Sequence, residues 1–390
     1  MSNLLEKVLL RGNSRKYNEL VFGGESYIEK MQILFIDRIS ERRKLKMKIG
    51  IIGAFGFDTL DTGGQPVKTR ALYHGLTERY GRQNIEFVET MGWKKKPLKV
   101  LKHFFEVANK CDCLIMLPAE NGLGVFATLL MLYKNNRKIY YDVIGGWLPT
   151  FIERKKRICK LLQQFNGIWV ETAQMQKDLE ALGLNNVTII PNFKDLNILK
   201  ENEMNYNYEY PLPVCTFSRI NKGKGIEDAI NAVTAINQKY GKTIYKLDIY
   251  GAIGEEYVDE FKKMRSNFPE YISYKGIVPA DKSVETVKQY FLLLFPTRFY
   301  TEGIPGTLID AYCAGVPVIS ALWLNYVGVF ENEVTGYGYP FGDVEKFEKQ
   351  LEYAAMNIEK INMLKKNCLC KAHLFSKNIV INNICNYLEA

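Results

Sequence analysis

Phe295-Pro296-Thr297-Arg298-Phe299-Tyr300-Thr301-Glu302-Gly303-Ile304-Pro305-Gly306-Thr307-Leu308-Ile309-Asp310-Ala311-Tyr312-Cys313-Ala314-Gly315-Val316-Pro317-Val318-Ile319 decides the fold. The apolar run Tyr290–Phe295 reads as a buried strand, Glu302–Gly315 as a loop followed by a helix, and Val316–Ser320 as a second strand. A strand, a crossover helix and another strand make one unit of a parallel sheet. The loop exposes Glu302, and the small residues Gly303, Gly306 and Thr307 open the helix. Small residues there let a ligand approach backbone N–H groups at the positive helix end, which favours a phosphate. Asp310 follows one turn further in, where a carboxylate can accept from the vicinal hydroxyls of a sugar. A Gly/Pro loop with an acidic residue that merely suits the helix dipole gives the same pattern.

Upstream lies a second informative stretch, Phe217-Ser218-Arg219-Ile220-Asn221-Lys222-Gly223-Lys224-Gly225-Ile226. Arg219 ends a strand and Lys224 stands just before a helix. Two cations at the carboxyl end of a strand, beside a helix N-terminus, can clamp a diphosphate. A solvated basic turn is the competing reading.

Alternation of strand and helix runs through the chain from Met47. The first strand, Lys48–Gly53, leads into a Gly-rich loop that closes on Gly63-Gly64; strands follow at 85–89, 113–117, 138–143, 168–172 and 187–191. Residues 197–213 turn polar and irregular and read as a linker. A second series has strands at 214–219, 245–250, 271–275, 290–295 and 316–320, and the tail 358–388 reads as helical. This predicts an α/β protein with two doubly wound parallel-sheet domains in series. Such a pair places a ligand in the cleft between the carboxyl ends of its strands. The expected divisions are an extension at 1–46, a first domain at 47–208, a second at 209–370, and a C-terminal helix at 371–390 packing back towards the first domain. The extension reads as an added helical element, a basic membrane-proximal arm, or a start assigned upstream of Met47.

Taken together, these segments resemble the donor site of the GT-B retaining glycosyltransferases of family 4, the group 1 enzymes that use nucleotide sugars. The Arg219/Lys224 spacing, Glu302-x7-Asp310, and the succession Ala311, Gly315, Pro317, Val318 carry the resemblance. It implies two Rossmann-like domains facing a cleft, and transfer of a sugar from a nucleoside-diphosphate sugar to a saccharide or lipid-linked acceptor. Surface polysaccharide or glycolipid biosynthesis would be the setting. By the same resemblance Arg219 and Lys224 hold the pyrophosphate, and Glu302 contacts the transferred sugar. Asp310 takes the ribose-binding role of the family's second Glu. The backbone of Gly303, Ile304, Pro305, Gly306 and Thr307 meets phosphate or sugar, and Gly63 and Gly64 approach the phosphates from across the cleft. Gly251 and Val278 lie where the family binds the base, and Lys68 reaches an anionic acceptor or donor group.

Two departures stand out. Asp310 is shorter than Glu. The N-domain loop that carries a His in many members reads Asp142-Val143-Ile144-Gly145-Gly146-Trp147, leaving Gly146 and Trp147 as candidate acceptor contacts and Asp142 as a substitute for the His or a structural carboxylate. The sequence has no Asp-x-Asp, the pair that other glycosyltransferases use to hold a divalent ion. A metal-independent reaction is therefore expected, with no cofactor beyond the donor itself, and with cations and helix ends stabilising the leaving group. A nucleotide-sugar epimerase or hydrolase, and a non-catalytic sugar-nucleotide-binding partner, are the alternative readings.

Composition narrows the rest. Of 390 residues 47% are hydrophobic, 24% charged and 13% aromatic, which excludes wholesale disorder. No apolar run approaches the roughly 18 residues of a membrane span. The net charge of +9 arises before residue 209, and the remainder is close to neutral. Trp93–Phe105 and Arg154–Lys160 interleave cations with apolar residues, a pattern that suits an anionic membrane surface or an ordinary solvated helix face. Nucleic acid fits less well, since no recognition motif appears. The Gly50/Gly53/Gly56 spacing is not that of a dinucleotide fingerprint. The eight Cys lack metal-finger spacing and read as small buried hydrophobes; with no signal peptide, a cytoplasmic location is expected, either free or at the inner face of the membrane.

Overall fold

The structure is a computed structural model that describes residues 47–57 and 63–389. The extension at 1–46 and the loop residues Asp58–Thr62 lie outside the described residues.

The first sheet contains β1 (Ile49–Gly53), β2 (Ile85–Glu89), β3 (Cys113–Met116), β4 (Lys138–Asp142), β5 (Gly167–Val170) and β6 (Val187–Ile189), all parallel, in the order β2-β1-β3-β4-β5-β6. Its helices are α1 (Gly64–Tyr80), α2 (Pro97–Lys110), α3 (Glu120–Met131), α4 (Leu148–Ile152), α5 (Lys156–Leu162) and α6 (Ala173–Ala181). Every residue of β1, β3 and β5 is buried, because helices cover both faces of the sheet.

The second sheet contains β7 (Leu212–Phe217), β8 (Tyr245–Tyr250), β9 (Ile272–Gly276), β10 (Leu292–Phe295), β11 (Val318–Leu322) and β12 (Gly336–Pro340), in the order β12-β11-β10-β7-β8-β9. All are parallel. Three strands run outward on each side of the junction between β7 and β10, the strand order of a dinucleotide-binding domain. Helices α7 (Ile226–Lys239), α8 (Val258–Arg265), α9 (Ser283–Val287), α10 (Gly306–Cys313) and α11 (Val344–Met356) flank it. The tail forms α12 (Ile358–Ala372) and α13 (Lys377–Glu389), separated by a single tight turn at His373–Phe375.

Several elements differ from the sequence reading, each for a local reason. β12, Gly-Tyr-Gly-Tyr-Pro, was not foreseen: its glycines and terminal proline disguise a strand, and they are tolerated because it lies at the sheet edge. The expected strand over 168–172 ends at Val170, because the Thr172 hydroxyl accepts from the Met175 N–H and caps α6. Glu171 is thereby left at the mouth of the sheet. α4 and α5 occupy a stretch with no foreseen helix; Pro149 in the first turn of α4 suits a helix start.

The chain crosses between the two sheets twice, once after β6 and once between α12 and α13. The crossings meet: Lys194 and Ser376 form a parallel bridge, and the Lys194 N–H donates to the Phe375 carbonyl at 3.4 Å. The Lys377 ammonium pairs with Asp195 at 2.7 Å and with Glu78 of α1 at 3.0 Å. α13 then packs on α1, where the Tyr80 hydroxyl donates to Glu389 at 3.0 Å.

Candidate functional site

A cavity of about 360 Å³ lies between the carboxyl ends of the two sheets. The first sheet contributes Gly63, Gly64, Val67 and Lys68 after β1, Ile144 and Gly145 after β4, Glu171 after β5, and Asn192–Lys194 after β6. From the second come Arg219 and Lys224 after β7, Gly251 after β8, Ile277 and Val278 after β9, and Glu302–Thr307 with Asp310 after β10. Parallel strands all end on one side, so residues distant in sequence converge there.

The predicted cations and acid stand together. Lys224 forms an ion pair with Glu302, whose carboxylate also accepts from the Thr297 hydroxyl at 3.2 Å. Arg219 is exposed at the cavity wall. Thr307 at the start of α10 donates its hydroxyl to the Phe217 carbonyl, tying the helix N-terminus to the end of β7. Gly225 adopts φ +65°, and an added methyl would stand 1.8 Å from the Pro296 carbonyl oxygen, so the Lys224 turn closes onto the end of β10 only with glycine.

Lys68, expected to reach an anionic ligand, is otherwise engaged. Its side chain is 1% exposed, and its ammonium donates to Asp142 at 2.8 Å and to Glu171 at 3.4 Å. Burial opposes the charge on Lys68, but the two carboxylates outweigh it and raise its pKa. Desolvation pushes both carboxyls above their usual range. One Asp142 oxygen, Oδ2, has no hydrogen-bond partner. Asp142 is thus held inside an ion-pair network. Gly146 and Trp147 do not line the cavity: a methyl on Gly146 would meet the Thr301 and Glu302 carbonyls, and the Trp147 ring packs on Phe151 at 5.2 Å.

The loop after β10 is pinned along its backbone. Glu171 accepts from the Ile304 N–H at 2.7 Å, reaching across from the first sheet. Asn325 donates to the Glu302 carbonyl at 2.7 Å, Trp323 to the Gly303 carbonyl at 3.2 Å, and Asn192 to the Ile304 carbonyl at 2.9 Å. An added methyl on Gly303 would come within 2.0 Å of Glu171 Oε2. Asp310 is 2% exposed and accepts from the Lys194 ammonium at 2.7 and 2.6 Å and from the Ser283 hydroxyl at 2.8 Å. Glu171, Asn192, Lys194 and Asn325 were not foreseen. Pro191-Asn192-Phe193-Lys194 directly after a strand was the available signal for two of them.

Residues 212–357, which include Arg219, Lys224, Glu302 and Asp310, match the family model described as Glycosyl transferases group 1. The amylovoran biosynthesis glycosyltransferase AmsK of Erwinia amylovora is 24% identical over 139 residues, 35% of this chain and 34% of that protein. The match therefore spans about a third of that relative. Among solved structures, HepE of Anabaena in complex with UDP superposes with a TM-score of 0.68 at 14% identity, over 88% of this chain and 99% of that one. The fold is GT-B. Sucrose-phosphate synthase of Thermosynechococcus elongatus gives 0.67 at 13% identity, over 87% and 97%. A TarM variant of S. aureus, in complex with fondaparinux, alpha-GlcNAc-glycerol and UDP, gives 0.57 at 17%, over 71% and 55%. In this GT-B chain the matched stretch runs from β7 through α11. Among the described residues no three His, Cys, Asp or Glu side chains gather as a metal site, and no helix is long and apolar enough to cross a membrane.

Proposed function

We propose that this protein is a retaining, metal-independent glycosyltransferase that moves a sugar from a nucleoside-diphosphate sugar to a saccharide or lipid-linked saccharide. One observation carries the reading: a single interdomain cavity holds Arg219, the Lys224–Glu302 pair and the start of α10. HepE and TarM, similar in fold, were each solved with UDP, and AmsK is named for amylovoran biosynthesis, which supports a role in building a surface polysaccharide or glycolipid.

In the reaction, the bond between the anomeric carbon and the β-phosphate oxygen breaks and the diphosphate departs with both electrons. Arg219, Lys224 and the N–H groups opening α10 stabilise the charge that develops on it. The acceptor hydroxyl forms the new bond on the face the phosphate leaves, and its proton passes to the departing phosphate oxygen. Glu302 contacts the sugar's hydroxyls and keeps Lys224 beside the scissile bond. The basic, partly apolar α2, with Leu98 81% exposed, suits an acceptor carried on an anionic membrane.

The test is calorimetric binding of UDP, GDP, ADP, CMP and NAD in the presence of EDTA. One nucleoside diphosphate should bind, and Arg219→Ala should weaken it at least about tenfold. Silence from the whole panel would remove the donor site. With the matching donor sugar and an acceptor, Glu302→Gln should lower kcat by at least about a hundredfold while changing donor affinity far less; equal loss of both would make Glu302 structural.

A further inference from the structure

The carboxylate of Asp310 is already occupied. Both of its oxygens accept from Lys194, the Ser283 hydroxyl adds a third hydrogen bond, and Asp310 and Ser283 are at most 2% exposed. Three of the roughly four lone-pair sites of that carboxylate are taken, and at 2% exposure it offers little to the paired hydroxyls of a ribose. Lys194 is placed differently. Its side chain retains 15% exposure and lines the cavity with Arg219 and Lys224. Its stem runs along the opening turn of α10, where a methyl on Gly306 would approach the Lys194 Cε to 2.9 Å and Nζ to 3.3 Å. Its backbone is fixed by the bridge to Ser376. An ammonium has three N–H donors. Two meet Asp310, so one remains for a ligand. The helix N-terminus beside it, like the ammonium, favours a negatively charged ligand.

We propose that Lys194 is a donor-binding residue whose remaining N–H holds the phosphate attached to the ribose, and that Asp310 is a positioning residue that aims Lys194. The inference rests on the nucleotide-sugar reading above. It adds a third cation to the donor site, drawn from the segment that joins the two domains.

The experiment uses the full chain and the nucleoside diphosphate that binds best among UDP, GDP and ADP. Affinity is measured for wild type, Lys194→Met, Lys194→Arg, Asp310→Asn and the double variant Lys194→Met/Asp310→Asn. The double variant removes the pair without stranding a buried carboxylate, so it tests the site even if Lys194→Met folds poorly. Expected are a loss of about tenfold or more in Lys194→Met, the same loss in the double variant, recovery of most of it in Lys194→Arg, and a shallower salt dependence wherever the cation is gone. A double variant that binds like wild type overturns the proposal. So does a Lys194→Met protein of unchanged affinity beside an Asp310→Asn protein that has lost it, the result of a carboxylate binding ribose directly. Wild type that binds none of the three nucleotides overturns the donor-site reading and this inference with it; wild-type binding that survives the substitutions overturns this inference alone.

Discussion

Lys68 is a lysine shut away with two carboxylates, 1% exposed itself. Removing one member of such a network leaves the others buried and uncompensated, at a cost of about 3–5 kcal/mol. Lys68→Met should therefore lower stability by about that amount in urea unfolding, and far more than Lys99→Met on the exposed side of α2. Lys365 presents the opposite case. It is 1% exposed, its ammonium donates to the Tyr208 hydroxyl at 3.1 Å, and burial lowers its pKa from 10.5 to about 8. Below about pH 8 the residue is charged in both folded and unfolded chains, and the folded state bears the desolvation penalty. Between about pH 8 and 10.5 the folded chain has released the proton while the unfolded chain still holds it, so stability rises with pH. The whole span is worth about 3 kcal/mol. Comparing urea midpoints across that range, Lys365→Met should lose the rise and be the more stable protein at neutral pH. Neither lysine is legible in the sequence, where the partners of Lys68 stand 74 and 103 residues away. Arg219, Lys224 and Glu302 were legible because each belongs to a short run whose spacing already implies a strand end and a helix start.

At the scale of elements, the loop after β10 is the part on which the shape of the cavity depends. Its carbonyls at 302, 303 and 304 each receive a side-chain donor, and its Ile304 N–H is taken by Glu171. Gly303→Ala would drive a methyl into Glu171 Oε2 and against Gly145, displacing the loop. Donor affinity should fall at least tenfold, roughly 1.4 kcal/mol, while the thermal midpoint moves by only a few degrees. An unchanged affinity would show that the loop has slack. Glu171→Gln keeps an acceptor for the Ile304 N–H and loses the charge facing Lys68, so it should bind donor better than Glu171→Ala. Most of the alternating elements were readable, since buried parallel strands such as Leu292–Phe295 are short apolar runs between breakers. β12 was not, because its edge position relaxes the composition that marks central strands. The pinning of the loop was hidden too: two of its four anchors, Glu171 and Asn192, come from the first sheet, and their role depends on where the second sheet docks.

For the whole molecule, the uneven charge is the property most open to test. α2 carries Lys99 and Lys102, follows Lys94, Lys95 and Lys96, and presents exposed Leu98 and Phe105 beside the buried Phe104 and Val107. Arg154–Arg157 line a shallow depression on the same domain. Co-sedimentation with phosphatidylglycerol vesicles at low salt should be strong, should fade as salt rises through the physiological range, and should weaken in Leu98→Ser. Equal recovery with neutral phosphatidylcholine vesicles would argue against an electrostatic contact.

The two crossings that meet at Lys194 and Ser376 have a mechanical consequence. Two connections laid side by side and hydrogen-bonded to each other would act as a hinge pin, the line about which the sheets would turn if the Glu171–Ile304 bond across the cleft released. A nucleotide gripped beside that pin would feel almost no travel as the jaws open, whereas the acceptor end, far from the axis, would sweep the widest arc. Such a lever would let product sugar leave through a large gap while the nucleotide is still seated, and would make the order of release a matter of distance from the pin.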